Sequence, residues 1–143
     1  MSVAAILEFK GSTVFTIRPD HTIADAAALL TTKRVGVVVV SDPATHLLGV
    51  LSERDIVHSL SQYGKAALDM PVSNVMTSPV VTCTPADSAK AVLQVMTERR
   101  IRHLPVVTDG RLLGIVSIGD AVGHRLRETQ LEVGVLRDFA VAR

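Results

Sequence analysis

An internal repeat constrains this chain more than any other feature, because a unit present twice must fold twice and can use its copy to cover its apolar face. Residues 19–40 align on residues 85–106 at an offset of 66, setting Pro19 on Pro85, Thr22 on Ser88, Leu30 on Met96 and Val35 on Ile101. One residue is then lost. At an offset of 65, Gly49-Val50-Leu51-Ser52-Glu53-Arg54-Asp55 falls on Gly114-Ile115-Val116-Ser117-Ile118-Gly119-Asp120.

Within each copy the apolar residues keep helical spacing. Ile23, Ala26, Ala27 and Leu30, and their counterparts Ala89, Val92, Leu93 and Met96, recur at i, i+3, i+4 and i+7. Thr22 and Ser88 stand where an N-cap is wanted. β-branched runs at 35–40 and 103–107 predict central strands, followed by Asp42-Pro43 and Asp109-Gly110 turns and by strands at 47–51 and 112–116. Second helices start near Glu53 and Ile118, the last running into 126–139. Each repeat therefore reads strand, helix, strand, strand, helix: an α/β unit. The boundaries are 10–62 for the first repeat, 63–75 for a connector, and 76–130 for the second, with the final helix reaching about 140. A chain of 143 residues should bury roughly 68–70% of its unfolded surface, enough for one core without disulfide or metal. Neither repeat closes a core alone, so face-to-face packing with pseudo-twofold symmetry is expected.

Composition narrows the function. Fifteen basic residues against fourteen acidic leave a net charge of +1, which argues against a nucleic-acid or anionic-membrane binder. Aromatics are 3% of the chain, too few for base-stacking platforms. The longest aliphatic run, 35–40, is far short of the roughly 20 residues that span a bilayer. The N-terminus lacks a basic leader and a cleavage signature. A single cysteine, Cys83, allows neither an internal disulfide nor a cysteine zinc site, and fits a reducing cytoplasm; it reads as a small buried apolar residue. Phosphate-loop, dinucleotide-fold and zincin motifs are all missing. His21, His46, His58 and His124 follow no ligand spacing, so no metal is expected.

The segments TIRPDHTIADAAALL, VGVVVVSD and GVLSERD, and the run from VMTSPVV to GIVSIGD, resemble the tandem cystathionine β-synthase (CBS) domain pair, or Bateman module. The resemblance covers nearly the whole chain and is closer in the second repeat, since Gly36, Val37 and Val39 stand where that repeat has Arg102, His103 and Pro105. It implies a non-catalytic module that binds AMP, ATP, NAD(H) or S-adenosylmethionine in two clefts between its repeats, and that commonly forms homodimers. Carried over, one cleft joins Val50, Ser52, Arg54 and Asp55 to Thr77, Val81, Thr82, Ile101, Arg102 and His103. The other joins Ile115, Ser117 and Asp120 to Lys10, Gly11, Phe15, Thr16, Val35 and Val37.

Each of these residues also has a plain structural role. Ser52-x-x-Asp55 and Ser117-x-x-Asp120 have the spacing of helix capping boxes, worth about 0.5–2 kcal/mol; a carboxylate there can equally accept both hydroxyls of a ribose. Arg54, Arg102 and His103 suit phosphate, yet Arg102 follows an ordinary charged helix end and His103 opens an aliphatic strand. The valines and isoleucines would suit adenine or any core, and threonine favours strands by shape alone. The chain thus reads as a stand-alone sensor of adenosine nucleotides, AMP foremost, acting on an unidentified target protein. A ligand-free structural adaptor is the alternative. A hydrolase built on Ser52 or Ser117 beside His103 lacks a recognisable base and orienting acid. Helical faces at Ile56, Val57 and Leu60, or Val122 and Leu126, are candidates for a dimer interface.

Overall fold

Both repeats open their first helix on the hydroxyl residue at its start. Thr22 Oγ1 accepts from Asp25 N at 3.1 Å, and the Asp25 carboxylate accepts from Thr22 N at 3.0 Å, closing a capping box ahead of α2 (Ile23–Lys33). Ser88 Oγ accepts from Ala91 N at 3.0 Å ahead of α4 (Ala89–Arg99). These helices bury Ile23, Ala26 and Leu30, and Ala89, Val92 and Met96, the faces marked by the spacing. The computed structural model describes residues 2–43 and 47–141, the last five for their backbone alone; His46 lies outside the described residues.

In the first repeat, β1 (Thr16–Ile17) pairs in parallel with β2 (Val37–Val40), which pairs antiparallel with β3 (Gly49–Ser52). In the second, β4 (His103–Thr108) and β5 (Arg111–Ser117) form a hairpin. Its turn, Asp109-Gly110, holds both residues at positive φ, 51° and 75°, as a tight hairpin requires. The expected first strand of this repeat shrinks to one bridge between Cys83 and Val106. Proline is the reason. Val39 N donates to Phe15 O at 3.0 Å in the first repeat, whereas Pro105, its counterpart, has no N–H to offer Val81. Cys83 itself is buried, and burial first, then Asp87, pushes its thiol up to about 12.

Each repeat ends on a helix, α3 (Glu53–Tyr63) and α5 (Ile118–Val141), starting where the sequence placed them. Short 3-10 turns, Gly64–Asp69 and Val72–Asn74, make up the connector. Among the described residues no helix is long and apolar enough to cross a membrane.

One element was not anticipated. The N-terminal residues form α1 (Val3–Lys10), which packs on the second repeat although it precedes the first. Val3 N donates to Asp87 O at 2.8 Å and Ala4 N to Pro85 O at 3.0 Å, while Val3 and Ile6 share a core with Val92, Met96, Leu104 and Val116. Burying a side chain of this size contributes roughly 1.5–3 kcal/mol. The connector does the same for the first repeat: Val72 is fully buried among Ile17, Ile23 and Leu51, and its N–H donates to His21 O at 2.7 Å. Each repeat is therefore completed by the segment that leads into the other. Ile56, expected on a dimer face, is buried in this first core instead, whereas Val57, Leu60, Val122 and Leu126 are exposed.

Candidate nucleotide clefts

Because the leading segments are exchanged, the strand-to-helix junction of each repeat faces the wall of the other, leaving two clefts. The first, a cavity of about 250 Å3, is lined by Val50, Ser52, Arg54 and Asp55 from the first repeat and by Thr77, Val81, Ile101, Arg102 and His103 from the second. The second, of about 370 Å3, is lined by Ile115, Ser117 and Asp120 together with Lys10, Gly11, Phe15, Val35 and Val37. Both are near the lower end of the usual range for small-molecule sites. Gly36, Val37 and His103 line both cavities, so the clefts meet along one wall.

Thr16 and Thr82 lie outside both clefts. Side chains alternate along an extended chain; with Ile17 and Cys83 facing the cores, Thr16 and Thr82 are exposed. Thr16 instead borders a surface groove with Arg18, His21 and Asp25. Sequence reasoning also passed over Glu53, Val80 and Arg100 in the first cleft and Thr13, Val14 and Val39 in the second. Arg100 lies in a charged helix end that reads as ordinary in the sequence. Like Arg34, its repeat mate, it ends a helix in the left-handed conformation, φ 55°, which turns the chain out of the helix at the cleft mouth.

The two acids sit in the same local structure. Ser52 Oγ accepts from Asp55 N at 3.2 Å while Asp55 Oδ2 accepts from Ser52 N at 2.9 Å. The matching distances at Ser117 and Asp120 are 3.0 and 2.9 Å. Both motifs are thus working capping boxes that use only some of the lone pairs of each carboxylate. Their remaining partners differ. Thr77 Oγ1 donates to Asp55 at 3.3 and 3.4 Å, whereas Lys10 Nζ stands 2.7 Å from Asp120 Oδ2 and 2.7 Å from Ile115 O.

Burial by itself would raise the Asp120 carboxyl, but hydrogen bonds from Lys10 and from the Ser117 backbone outweigh it and hold it below the usual range. His103 is lowered, first by burial and then by the charges of Lys10 and Arg102, against the opposing pull of Asp120 and Glu53. Charge is unevenly shared. The first cleft sets Arg54, Arg100 and Arg102 against Glu53 and Asp55, while among the described residues the second holds only Lys10 and Asp120 besides the shared His103. Apolar walls, a carboxylate at a helix start and guanidinium groups at one mouth can together hold a ring, a diol and an anion. Among the described residues no three His, Cys, Asp or Glu side chains cluster as metal ligands.

The family model of the CBS domain matches residues 8–62 and again residues 72–127. The chain belongs to the CBS domain family. Among curated relatives, the CBS domain-containing protein YhcV of Bacillus subtilis is 33% identical over 124 residues, covering 87% of each chain. The mitochondrial CBS domain-containing protein CBSX3 of Arabidopsis thaliana is 37% identical over 116 residues, 76% of this chain but 56% of its own length. The CBS-domain protein ATU1752 of Agrobacterium tumefaciens superposes with a TM-score of 0.85 at 41% identity, covering 87% of this chain and 99% of its own. Two other CBS structures hold ligands. PAE2072 of Pyrobaculum aerophilum is complexed with AMP (TM-score 0.74, 28% identity, 84% and 89% covered). The CBS pair of MJ0100 is complexed with 5′-methylthioadenosine and S-adenosyl-L-methionine (TM-score 0.76, 26% identity, 91% and 98% covered).

Proposed function

We propose that this CBS pair is a non-catalytic regulatory module that binds an adenosine nucleotide, AMP foremost with ATP or NAD(H) as further candidates, between its repeats. The observation that carries this reading is the first cleft: an Asp55 carboxylate at a helix start, the apolar wall of Val50, Val81 and Ile101, and three arginines lie around one cavity. The carboxylate suits a ribose diol, the wall an adenine ring and the guanidiniums a phosphate. AMP and S-adenosyl-L-methionine in the related structures support the class of ligand. Because each cleft borrows from both repeats, a bound nucleotide favours the conformation in which they close on it, and that shift in population is the signal. Val57 and Leu60 on α3, and Val122 and Leu126 on α5, are exposed; either helix offers apolar positions on which a second copy would dock to form a homodimer that presents the signal to a target protein.

Thermal unfolding with AMP, ADP, ATP, NAD, NADH or S-adenosylmethionine tests the reading. A ligand at 100 times its Kd adds about 2.7 kcal/mol, so Tm should rise by roughly 5–10 °C for a domain of this size. Asp55→Asn should abolish that rise. A ligand-free adaptor is the competing reading, favoured by the capping boxes that both acids complete; it predicts no shift from any nucleotide and a loss of helix stability alone in the variant.

A further inference from the structure

The two acids occupy equivalent places in the repeats, yet the chain fills the space beside them differently. Next to Asp55 stands a neutral hydroxyl, Thr77 Oγ1, at 3.3 Å. Next to Asp120 stands an ammonium, Lys10 Nζ, at 2.7 Å. Lys10 also donates to Ile115 O, which spends two of its three N–H donors on the cleft itself. The lysine is well placed to hold on. It is the last residue of α1, whose other end is fixed by the buried Val3 and Ile6 and by bonds to Pro85 and Asp87. Beyond it Gly11 turns at φ 94°, and residues 11–15 run along the cleft without regular structure.

A carboxylate already neutralised by an ammonium is a weaker acceptor for a vicinal diol than one whose extra partner is a distant hydroxyl. Taking Asp120 from Lys10 also strands the ammonium in a partly buried place, with a side chain only 27% exposed, a position that is costly for an unpaired charge. We propose that Lys10 is an internal competitor: it holds the Asp120 cleft self-occupied, so that a nucleotide fills the Asp55 cleft first and enters the second only by displacing Lys10. Displacement releases the last turn of α1, so the helix that completes the second repeat reports occupancy of this cleft. The proposal rests on the nucleotide reading above and adds an order of filling and the residue that sets it.

Two measurements on the full chain decide it. Acetylation by an N-hydroxysuccinimide ester, followed by mass spectrometry, should label Lys10 about five- to tenfold more slowly than Lys65 and Lys90, a fold-change equivalent to about 1–1.4 kcal/mol. Asp120→Asn should remove that protection, and so should AMP at concentrations that add a second equivalent. Calorimetric titration with AMP should give two unequal steps in the natural chain, whose Kd values draw together by several-fold in Lys10→Met. Protection of Lys10 that survives Asp120→Asn, labelling that falls as the second equivalent binds, or a second step weakened in Lys10→Met would each overturn the proposal, the last two making Lys10 a ligand contact. A single equivalent in both proteins, lost in Asp55→Asn, overturns it while leaving the nucleotide reading intact. No binding by either protein overturns both.

Discussion

Alanine at Gly49 and at Gly114 should have unequal effects, although the two glycines are repeat mates and both are closely approached. A Cβ at Gly114 would stand 2.9 Å from Leu7 Cδ2, the tip of a flexible side chain. At Gly49 it would stand 2.7 Å from Met76 Sδ and 2.9 Å from the carbonyl oxygen of Thr77. The sulfur can move. The carbonyl is held by Val50 N at 3.1 Å, and Thr77 N returns a bond to Val50 O at 2.8 Å, so the backbone pair that joins the start of the second repeat to β3 must yield. Overpacking costs about 1–3 kcal/mol, and weakening a backbone bond adds about 0.5–1.5 kcal/mol. Neither glycine needs a positive φ, so alanine regains about 0.4–1 kcal/mol through the unfolded chain.

The balance is a net loss of about 0.5–4 kcal/mol for Gly49→Ala, centred on about 2.3 kcal/mol, and close to zero for Gly114→Ala. Calorimetric melting should show Tm lowered by roughly 5–10 °C in the first variant and by no more than about 2 °C in the second. Since Thr77 lines the first cleft and touches Asp55, Gly49→Ala should also weaken AMP binding by several-fold. Equal melting temperatures in the two variants would refute the reasoning, because they would mean that the Thr77 backbone moves as freely as a leucine methyl.

Ile6→Ala should destabilise the chain by about 2–5 kcal/mol, because Ile6 is 1% exposed in the core of the second repeat; denaturant titration measures it, and a loss below 1 kcal/mol would mean that α1 is dispensable. Arg102→Gln should weaken AMP about tenfold or more, the loss of a charge-assisted contact, and adenosine much less; equal losses by calorimetry would move the phosphate away from Arg102. Burial lowers the pKa of His103 below its ordinary 6.5, so the unfolded chain takes up this proton at a higher pH than the folded one. Its contribution to stability is present above pH 6.5 and is lost as pH falls through the folded value. His103→Gln should accordingly show a smaller fall in Tm between pH 7 and pH 5 than the natural chain, and superimposable curves would exclude His103 as a source of the dependence.

What was legible in the sequence was local. Helix starts at Ser52, Thr22 and Ser88 depend on a hydroxyl, its neighbours and little else, and they fall where the spacing put them. The parts that were not legible depend on partners distant in the chain. Val3 to Leu7 reads as an apolar stretch of either kind until Gly114, more than a hundred residues later, provides the space for Leu7. The missing strand before Cys83 is traceable to Pro105, a residue of the partner strand. Thr16 and Thr82, carried over by resemblance, lie outside the two cavities, since resemblance does not give the phase of side-chain alternation. Lys10 could be placed beside a cleft by resemblance, but its grip on Asp120 follows only from α1 crossing to the second repeat.

That crossing also explains why similar repeats make dissimilar clefts. Each cleft takes its acid from one repeat and its wall from the other, so a residue that distinguishes the second repeat acts on the acid of the first. Arg102, which stands where the first repeat has Gly36, lines only the Asp55 cleft, whereas His103, Gly36 and Val37 border both. Arg54 belongs to the same cleft as Arg102, while its own repeat mate, Gly119, brings no charge to the other. Divergence at only a few positions therefore does not average out across the pseudo-twofold axis; it adds Arg54 and Arg102 to Arg100 at one cleft and, among the described residues, leaves Lys10 as the one lysine or arginine lining the other. Two copies of one scaffold become a cleft rich in guanidinium groups and a cleft whose acid is already paired.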